Sequence, residues 1–170
     1  MLPIVLNPTT MRIGVAGAGD GLKRRLDLVS GAGVQHLAVF DRHIPTHEEL
    51  AGLSVLFVAG LDAGPSRELA SAARSAGVLV NVEDQTELCD FHVPASVRRG
   101  DLLFTVSTGG HSPGLSRLLR EELDRHFGPE WSDRMDEIAR SRSGWRTSGI
   151  DPGDVSERTR ALVKAKGWLP

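Results

Sequence analysis

The sequence predicts an α/β protein: a parallel, doubly wound sheet followed by a helical segment. Short apolar runs alternate with amphipathic segments up to about residue 112, as is typical of strands and helices in such a sheet. The run SVLFVAG (54–60) is apolar throughout, as expected of a central strand buried on both faces. We therefore predict a sheet domain over 1–112 and a helical region over 113–170.

Apolar, β-branched runs mark the predicted strands. They are RIGVAGAG (12–19), HLAVFD (36–41), SVLFVAG (54–60), VLVNVED (78–84) and DLLFTVST (101–108). The segment 21–33 has apolar residues at helical spacing and ends in glycines, which predicts a helix after the first strand. The segment 66–77 predicts another helix before the fourth strand.

The first helix of the C-terminal region begins after Ser112. Ser112 is a suitable N-cap, and Pro113 occupies the first helical position, where its missing N–H costs nothing. An apolar stripe on this helix consists of Leu115, Leu118, Leu119 and Leu123. This is more apolar surface than a small monomer readily exposes, so a homodimer is predicted. The alternative is that the stripe packs on the protein's own sheet.

Two further helices are predicted. WSDRMDEIARS (131–141) predicts one that begins near Ser132. Asp154 and Glu157 have the spacing of a capping box, which predicts a last helix over 155–166.

Composition and charge argue against several classes of protein. The net charge of −2 gives no attraction to nucleic acid or membranes, and no apolar run reaches the about 18 residues of a membrane span. The N-terminal run lacks the charged segment of a signal peptide, so none is expected. Cys89 is the only cysteine, which excludes an internal disulfide and favours a cytoplasmic protein. Cysteine and histidine show no zinc-ligand spacing, so no metal site is predicted.

A glycine-rich turn, GAGDGL (17–22), joins the first strand to the first helix. In dinucleotide folds the first glycine makes the tight turn, and the second lets the backbone approach a pyrophosphate on the helix N-terminus. Asp41 ends the second strand, where a carboxylate can bind the adenosine ribose. Leu22, however, takes the third motif position, and its side chain is expected to push helix and strand apart. The residues alone leave a nucleotide site and a plain glycine turn both open.

The stretch VSTGGHSPGLSRLLREELD (106–124) combines a strand end, a hydroxyl-rich loop and a helix start. Small residues at a helix N-terminus favour an anion, and the nearby arginines can pair with carboxylates. The alternative is a capped helix start with solvated arginines.

Several segments match one known family in order and spacing. They are the opening Leu-Pro-Ile, the strand into the glycine turn, Asn81 with Asp84, Phe91 to Ala95, and STGGHSP followed by RLLRE. Over roughly residues 1–125 the chain resembles the precorrin-2 dehydrogenase/sirohydrochlorin ferrochelatase family, the N-terminal module of siroheme synthases. The resemblance implies a Rossmann-like NAD domain, a dimerising segment, and NAD-dependent oxidation of precorrin-2 to sirohydrochlorin. In some members iron insertion follows, which makes ferrous iron a further substrate.

The resemblance and the predicted fold together suggest site residues. Asp84 matches the family's catalytic aspartate and ends a strand at the carboxyl edge, where such sheets bind ligands. Its alternative role is a loop aspartate that caps the next turn. The predicted NAD-binding residues are Gly17, Ala18, Gly19, Asp20, Gly21, Asp41, Gly60 and Asn81. The predicted tetrapyrrole-binding residues are Ser107, Thr108, Gly109, Gly110, His111, Ser112 and Arg117.

Four features depart from the family's pattern: the tail after residue 125 is shorter than in many members, and the other three are on the cofactor side. Leu22 replaces a small residue, and GLDAGPS (60–66) lacks a polar run that ends in asparagine. The segment 39–54 is shorter than usual and has room for one short strand in place of a strand, a helix and a strand. Two alternatives therefore stay open: a chelatase without dehydrogenase activity, and a non-catalytic tetrapyrrole-binding dimer.

Overall fold

The computed structural model describes residues 2–169, which form two compact units. The first unit ends at Val93, and the second begins at Pro94. This division differs from the predicted boundary after residue 112. Within residues 2–169, none of the helices has the length and apolar character needed to cross a membrane.

The first unit is built on a four-stranded parallel sheet. Its strands are β1 (Arg12–Gly17), β2 (His36–Phe40), β3 (Val55–Ala59) and β4 (Leu79–Val82), in the order β2-β1-β3-β4. Its helices are α1 (Gly19–Gly31), α2 (His47–Ala51) and α3 (Ala63–Ser75). The chain leaves β1 toward one side for β2 and returns to the other side for β3, so the strand order reverses between β1 and β3. Ligands bind at such a reversal, outside the carboxyl ends of the strands. The predicted α/β class is confirmed.

Alternating side chains of the strands supply a core on each face of the sheet. Ile13 and Val15 of β1 join Phe57 of β3 on the α1 face. Ala16 and Val58 join the cluster on the opposite face, which also contains α2 and α3 residues. Every residue of β3 is buried, as its uninterrupted apolar sequence predicted.

The segment between β2 and β3 contains α2, a helix that the sequence analysis did not predict. Thr46 and Glu49 form a capping box: the Glu49 N–H donates to Thr46 Oγ1 at 3.3 Å, and the Thr46 N–H donates to Glu49 Oε2 at 2.7 Å. The backbone hydrogen bond from Thr46, with a second bond from His43, holds the pKa of Glu49 below its usual value. Because two orphan N–H groups are satisfied, even this short segment forms a helix rather than the expected strand.

The second unit begins with an antiparallel hairpin of β5 (Ala95–Arg99) and β6 (Leu102–Val106). The prediction that residues 101–108 add a strand to the parallel sheet is therefore wrong. Gly100, with φ +58°, and Asp101 form a two-residue turn that pairs Arg99 with Leu102. A turn this short reverses the chain, whereas a parallel neighbour needs a crossover of about a dozen residues or more.

Three helices complete the second unit: α4 (Pro113–His126), α5 (Trp131–Thr147) and α6 (Pro152–Ala165). Ser112 caps α4 as predicted, because its hydroxyl accepts the Leu115 N–H at 3.3 Å. The predicted capping box of Asp154 and Glu157 is wrong. Helix α6 begins earlier, with Pro152 in its first turn, so Asp154 lies inside the helix.

Candidate functional site

The turns that follow β1 and β3 touch through their backbones at the carboxyl edge of the sheet. The Ala18 N–H donates to the Ala59 carbonyl oxygen at 3.1 Å. Gly17 has φ +144°, and a Cβ there would overlap the Ala59 carbonyl oxygen. Gly60 has φ +68°, and a Cβ there would overlap the Ala18 carbonyl oxygen. The two turns are therefore interlocked, and each needs glycine.

The N-terminus of α1 remains free to bind an anion. Ala18 is the N-cap, and its side chain makes no capping hydrogen bond. Gly19 has φ +60°, and no atom lies within 4 Å of the position that its Cβ would take. First-turn N–H groups without a side-chain cap, beside open space, suit a pyrophosphate. The residues present thus fit the predicted dinucleotide.

The close contact between α1 and the sheet is made at Gly21, not at Leu22. A Cβ at Gly21 would lie 2.9 Å from the Gly60 nitrogen and 3.2 Å from Ala59 Cβ. Leu22 is half-buried and packs with the apolar cluster on the α1 face. The expectation that Leu22 forces the helix away from the sheet is therefore wrong, since the preceding residue is the one that meets β3.

A cavity of about 250 Å³ lies between the ends of β1 and β2. Its lining includes Gly17 and Ala18 from one turn and Asp41, Arg42 and His43 from the other. The Asp41 side chain is half exposed, and its carboxylate lies 3.9 Å from Nε of Arg42. The structure thus brings the predicted ribose-binding acid to the glycine turn.

Asn81 differs from the other predicted cofactor residues because it is buried in the sheet. Its side-chain Nδ2 donates to the Phe91 carbonyl oxygen at 2.9 Å. Within residues 2–169, its Oδ1 has no hydrogen-bond partner. Asn81 therefore connects β4 to the following segment. Its Oδ1 is buried, and the predicted cofactor contact of Asn81 stays a prediction.

Asp84 stands exposed just beyond β4. The preceding Glu83 N–H donates to the Val58 carbonyl oxygen at 2.9 Å, which extends the β4–β3 pairing by one bond. Asp84 then turns with φ +59°, and it is the one non-glycine residue between 2 and 169 with a positive φ. Aspartate tolerates this conformation better than most residues, and such outliers cluster at functional sites. Asp84 thus lies at the predicted edge.

Glu83, which the sequence analysis did not select, forms the main ion cluster of this edge. Its side chain is 15% exposed, and Oε2 lies 3.1 Å from Nη2 of Arg24. Oε1 lies 3.8 Å from Nη2 of Arg25. The hydrogen bond and charge of Glu83 raise the pKa of Arg24 above its ordinary value, and the carboxylates of Asp20 and Asp84 add smaller contributions.

In the second unit, the hydroxyls of the loop 107–112 are largely bonded within the loop. Thr108 Oγ1 accepts the Ser112 N–H at 3.1 Å and lies 3.1 Å from Ser116 Oγ. The Gly109 N–H donates to Ser107 Oγ at 3.3 Å. In the part of the chain that the structure describes, the Gly110 N–H has no partner and remains for an anion.

The exposed His111 also belongs to this loop, where its N–H donates to the Thr108 carbonyl oxygen at 3.1 Å. Among residues 2–169, no group of three His, Cys, Asp or Glu side chains is arranged to hold a metal ion.

Three arginines near this loop already have protein partners. Arg117 Nε lies 3.0 Å from Glu121, and Arg120 also reaches Glu121 at 3.4 Å. Arg99 donates to Asp124 at 2.7 Å and to the Phe127 carbonyl oxygen at 2.8 Å. The Arg99 hydrogen bond lowers the pKa of Asp124 below its usual value. Arg117 is 79% exposed and can exchange partners, whereas Arg99 joins β5 to α4.

Interlocked glycine turns, an open helix N-terminus and an acid at the end of the neighbouring strand define a dinucleotide-binding domain. Residues 4–95 match the family model described as "Putative NAD(P)-binding", and the chain belongs to that family.

Relatives agree with the predicted resemblance. The chain is 31% identical over 170 residues to a siroheme synthase of Nitrosococcus oceani, with 88% of this chain and 36% of the relative covered. It is 32% identical over 163 residues to siroheme synthase 1 of Pectobacterium atrosepticum, with 85% and 33% covered. The chain thus spans about a third of the length of these relatives.

A solved structure, "SirC, precorrin-2 dehydrogenase", matches with a TM-score of 0.71. The match covers 96% of this chain and 89% of that chain at 18% sequence identity, which shows a shared fold. The family resemblance and the Rossmann-like fold predicted from the sequence are confirmed.

Proposed function

We propose that the chain is an NAD-dependent precorrin-2 dehydrogenase, which oxidises precorrin-2 to sirohydrochlorin in siroheme biosynthesis. The similarity to siroheme synthases in sequence and to a precorrin-2 dehydrogenase in fold supports the substrate class. The observation that carries the proposal is the uncapped N-terminus of α1, which lies at the same sheet edge as Asp84.

NAD⁺, when bound, supplies the hydride acceptor of this reaction. The first-turn N–H groups of α1, from Gly19 to Gly21, bind the pyrophosphate, and the helix dipole favours its charge. The carboxylate of Asp41 accepts hydrogen bonds from the adenosine ribose in the neighbouring cavity. Gly60 contributes by keeping its turn clear of a side chain, and Asn81 would contact the cofactor only if its buried Oδ1 became accessible.

Asp84 is the proposed base. Oxidation of the macrocycle removes a hydride and a proton, and an exposed carboxylate at the carboxyl edge can take that proton. If iron insertion follows, the same carboxylate can accept a pyrrole proton as ferrous iron enters. Ferrous iron is then a second substrate.

The carboxylates at the rim of the tetrapyrrole are proposed to bind the loop 107–112 of the second unit. Its free Gly110 N–H and the N-terminus of α4 both favour an anion. Ser107 and His111 are exposed there, and Arg117 can leave Glu121 for a substrate carboxylate. The bonded hydroxyls of the loop hold its shape.

A homodimer through α4 is also proposed. Of the four predicted stripe residues, Leu115, Leu118 and Leu119 are 48%, 62% and 43% exposed and Leu123 is half-buried, so three leucines on one helix face remain for a partner. We also propose a cytoplasmic location, which suits the single free cysteine, Cys89.

The test of the proposed function compares the wild type with Asp84→Asn. Asparagine also tolerates a positive φ, so the fold and the calorimetric affinity for NAD⁺ should be unchanged. Loss of the base should lower sirohydrochlorin formation, followed by absorbance, by about 10²-fold or more. Glu87→Gln, an exposed carboxylate in the same loop, is the matched control.

Equal rates for the wild type and Asp84→Asn, in both oxidation and iron insertion, would remove Asp84 from the mechanism. A wild type that binds sirohydrochlorin but gives no NAD⁺ signal up to millimolar concentration would contradict the dehydrogenase. The iron-insertion assay would then distinguish a chelatase from a non-catalytic binder.

A further inference from the structure

Glu83 joins three elements at the carboxyl edge of the sheet. Its backbone N–H bonds to the Val58 carbonyl oxygen of β3, and its carboxylate receives Nη2 of Arg24 at 3.1 Å and Nε of the same residue at 3.4 Å. Both contacts to Arg24 are made by one guanidinium group, so the pair is bidentate. The end of β4 is thereby fastened to α1, 59 residues earlier in the chain.

The carboxylate also rests against the first turn of α1. A Cβ at Gly21 would lie 2.6 Å from Glu83 Oε2, so the glycine leaves room for the acid. The same turn contains the open N-terminus, and the residue after Glu83 is Asp84 in its left-handed conformation. One side chain therefore links the helix end that would bind the dinucleotide to the proposed base.

We propose that Glu83 is a positioning residue: its bond to Arg24 holds the end of β4, and with it Asp84, at a set distance from the N-terminus of α1. The catalytic part of this inference rests on the proposed function. The geometric part concerns the free protein and can be tested without substrate.

The ion pair between Glu83 and Arg24 constrains the end of β4 more strongly than an apolar contact would. The Glu83 side chain is 15% exposed, that of Arg25 is 17% exposed and that of Arg24 is 62% exposed, so Glu83 is the charge that stays poorly solvated when Arg24 is removed. Breaking such a pair by removing one partner is costly because a charge is left uncompensated. The bidentate Arg24 contact in addition constrains direction as well as distance.

The test uses Glu83→Gln, Arg24→Gln and the double variant. At position 83 glutamine keeps the size of the side chain and removes its charge, and at position 24 it removes the guanidinium group and shortens the side chain. Glu157→Gln is the matched control, because it breaks an exposed arginine pair on α6, in the second unit. Amide hydrogen exchange measured by NMR reports local opening, and steady-state kinetics report turnover.

For Glu83→Gln we expect the hydrogen-bonded amides of residues 22–24, 83 and 85 to exchange at least about tenfold faster, with the other amides of the first unit unchanged. Turnover should fall about tenfold while the KM for NAD⁺ changes less than about twofold, because a displaced base slows chemistry rather than binding. The double variant should be no worse than Glu83→Gln alone, since Arg24 acts through Glu83.

Wild-type exchange rates at the bonded amides of residues 83 and 85 in Glu83→Gln would overturn the proposal, whatever the turnover. Faster exchange throughout the first unit with a lowered Tm would also overturn it, because that result describes a general stabilising contact. If the wild type itself shows no turnover, the proposed function fails, and the exchange data still decide the role of Glu83.

Discussion

Replacing Gly19 by alanine separates cofactor binding from folding. Gly19 opens α1 with φ +60°, and no atom lies within 4 Å of a Cβ placed there. Gly33, just beyond the other end of α1, has φ +78° and equally open surroundings. Each alanine therefore adds backbone strain without a clash, at a cost of about 1–2 kcal/mol. For a chain of this size the Tm should fall by about 2–8 °C in both variants.

The two variants should differ in their affinity for NAD⁺. At Gly19 the new methyl group occupies the space through which the pyrophosphate would approach the first-turn N–H groups. Losing one hydrogen bond to a charged group costs about 1.5–3 kcal/mol. That loss raises the Kd about 10- to 100-fold. Gly33→Ala carries the same strain, and the proposed cofactor contacts are at the other end of α1.

Isothermal titration calorimetry measures the Kd for NAD⁺, and thermal melts measure the Tm, of the wild type and both variants. A folded Gly19→Ala protein with wild-type affinity would refute the assignment of the pyrophosphate to this helix end. An equal loss of affinity in Gly33→Ala would also refute the reasoning, because the effect would then follow from strain alone.

Three further outcomes are expected. Asp41→Asn should raise the Kd for NAD about tenfold and reduce the preference for NAD over NADP, which competitive titration measures; parallel changes for both dinucleotides would contradict the ribose contact. Leu118→Asp should convert a dimer into an 18.3 kDa monomer in light scattering, and a monomeric wild type would exclude the dimer. The lowered pKa of Asp124 means that its Arg99 contact stabilises the fold above the unfolded-state pKa of about 3.9 and is lost as the pH falls through the folded-state pKa. Asp124→Asn should therefore flatten the acid side of the stability profile, and an unchanged profile would contradict this.

The four parallel strands were predictable because each is a short apolar run bounded by glycine or charge. The hairpin was not, although a signal for it is present. Gly100 and Asp101 are a two-residue turn sequence, but ASVRR (95–99) lacks the apolar pattern of a strand. In the structure β5 has a single buried residue, Val97, so hydrophobic periodicity could not reveal it.

The candidate site also has features that the sequence predicts and features that it does not. Gly17, Asp41 and Asp84 follow predicted strands, and the carboxyl ends of parallel strands share one edge, so their proximity was predictable. The partnership of Glu83 with Arg24 depends on how α1 is rotated against β4, which no local pattern encodes. The bonding of the Thr108 hydroxyl inside its loop likewise depends on the loop's folded shape.

The interlocked turns after β1 and β3 matter when sequences of a diverged family are compared. Gly17 and Gly60 each face the backbone of the other turn, so a substitution at either meets carbonyl groups that no compensating mutation can shorten. A descendant that abandoned its nucleotide would still have to keep both. Gly19 has no such neighbour, so a side chain there meets only the strain of its positive φ and, where a dinucleotide binds, the ligand. Retention of the first two glycines therefore reports shared ancestry of the scaffold, whereas the third is the glycine that a member without a bound dinucleotide can lose at the cost of backbone strain alone.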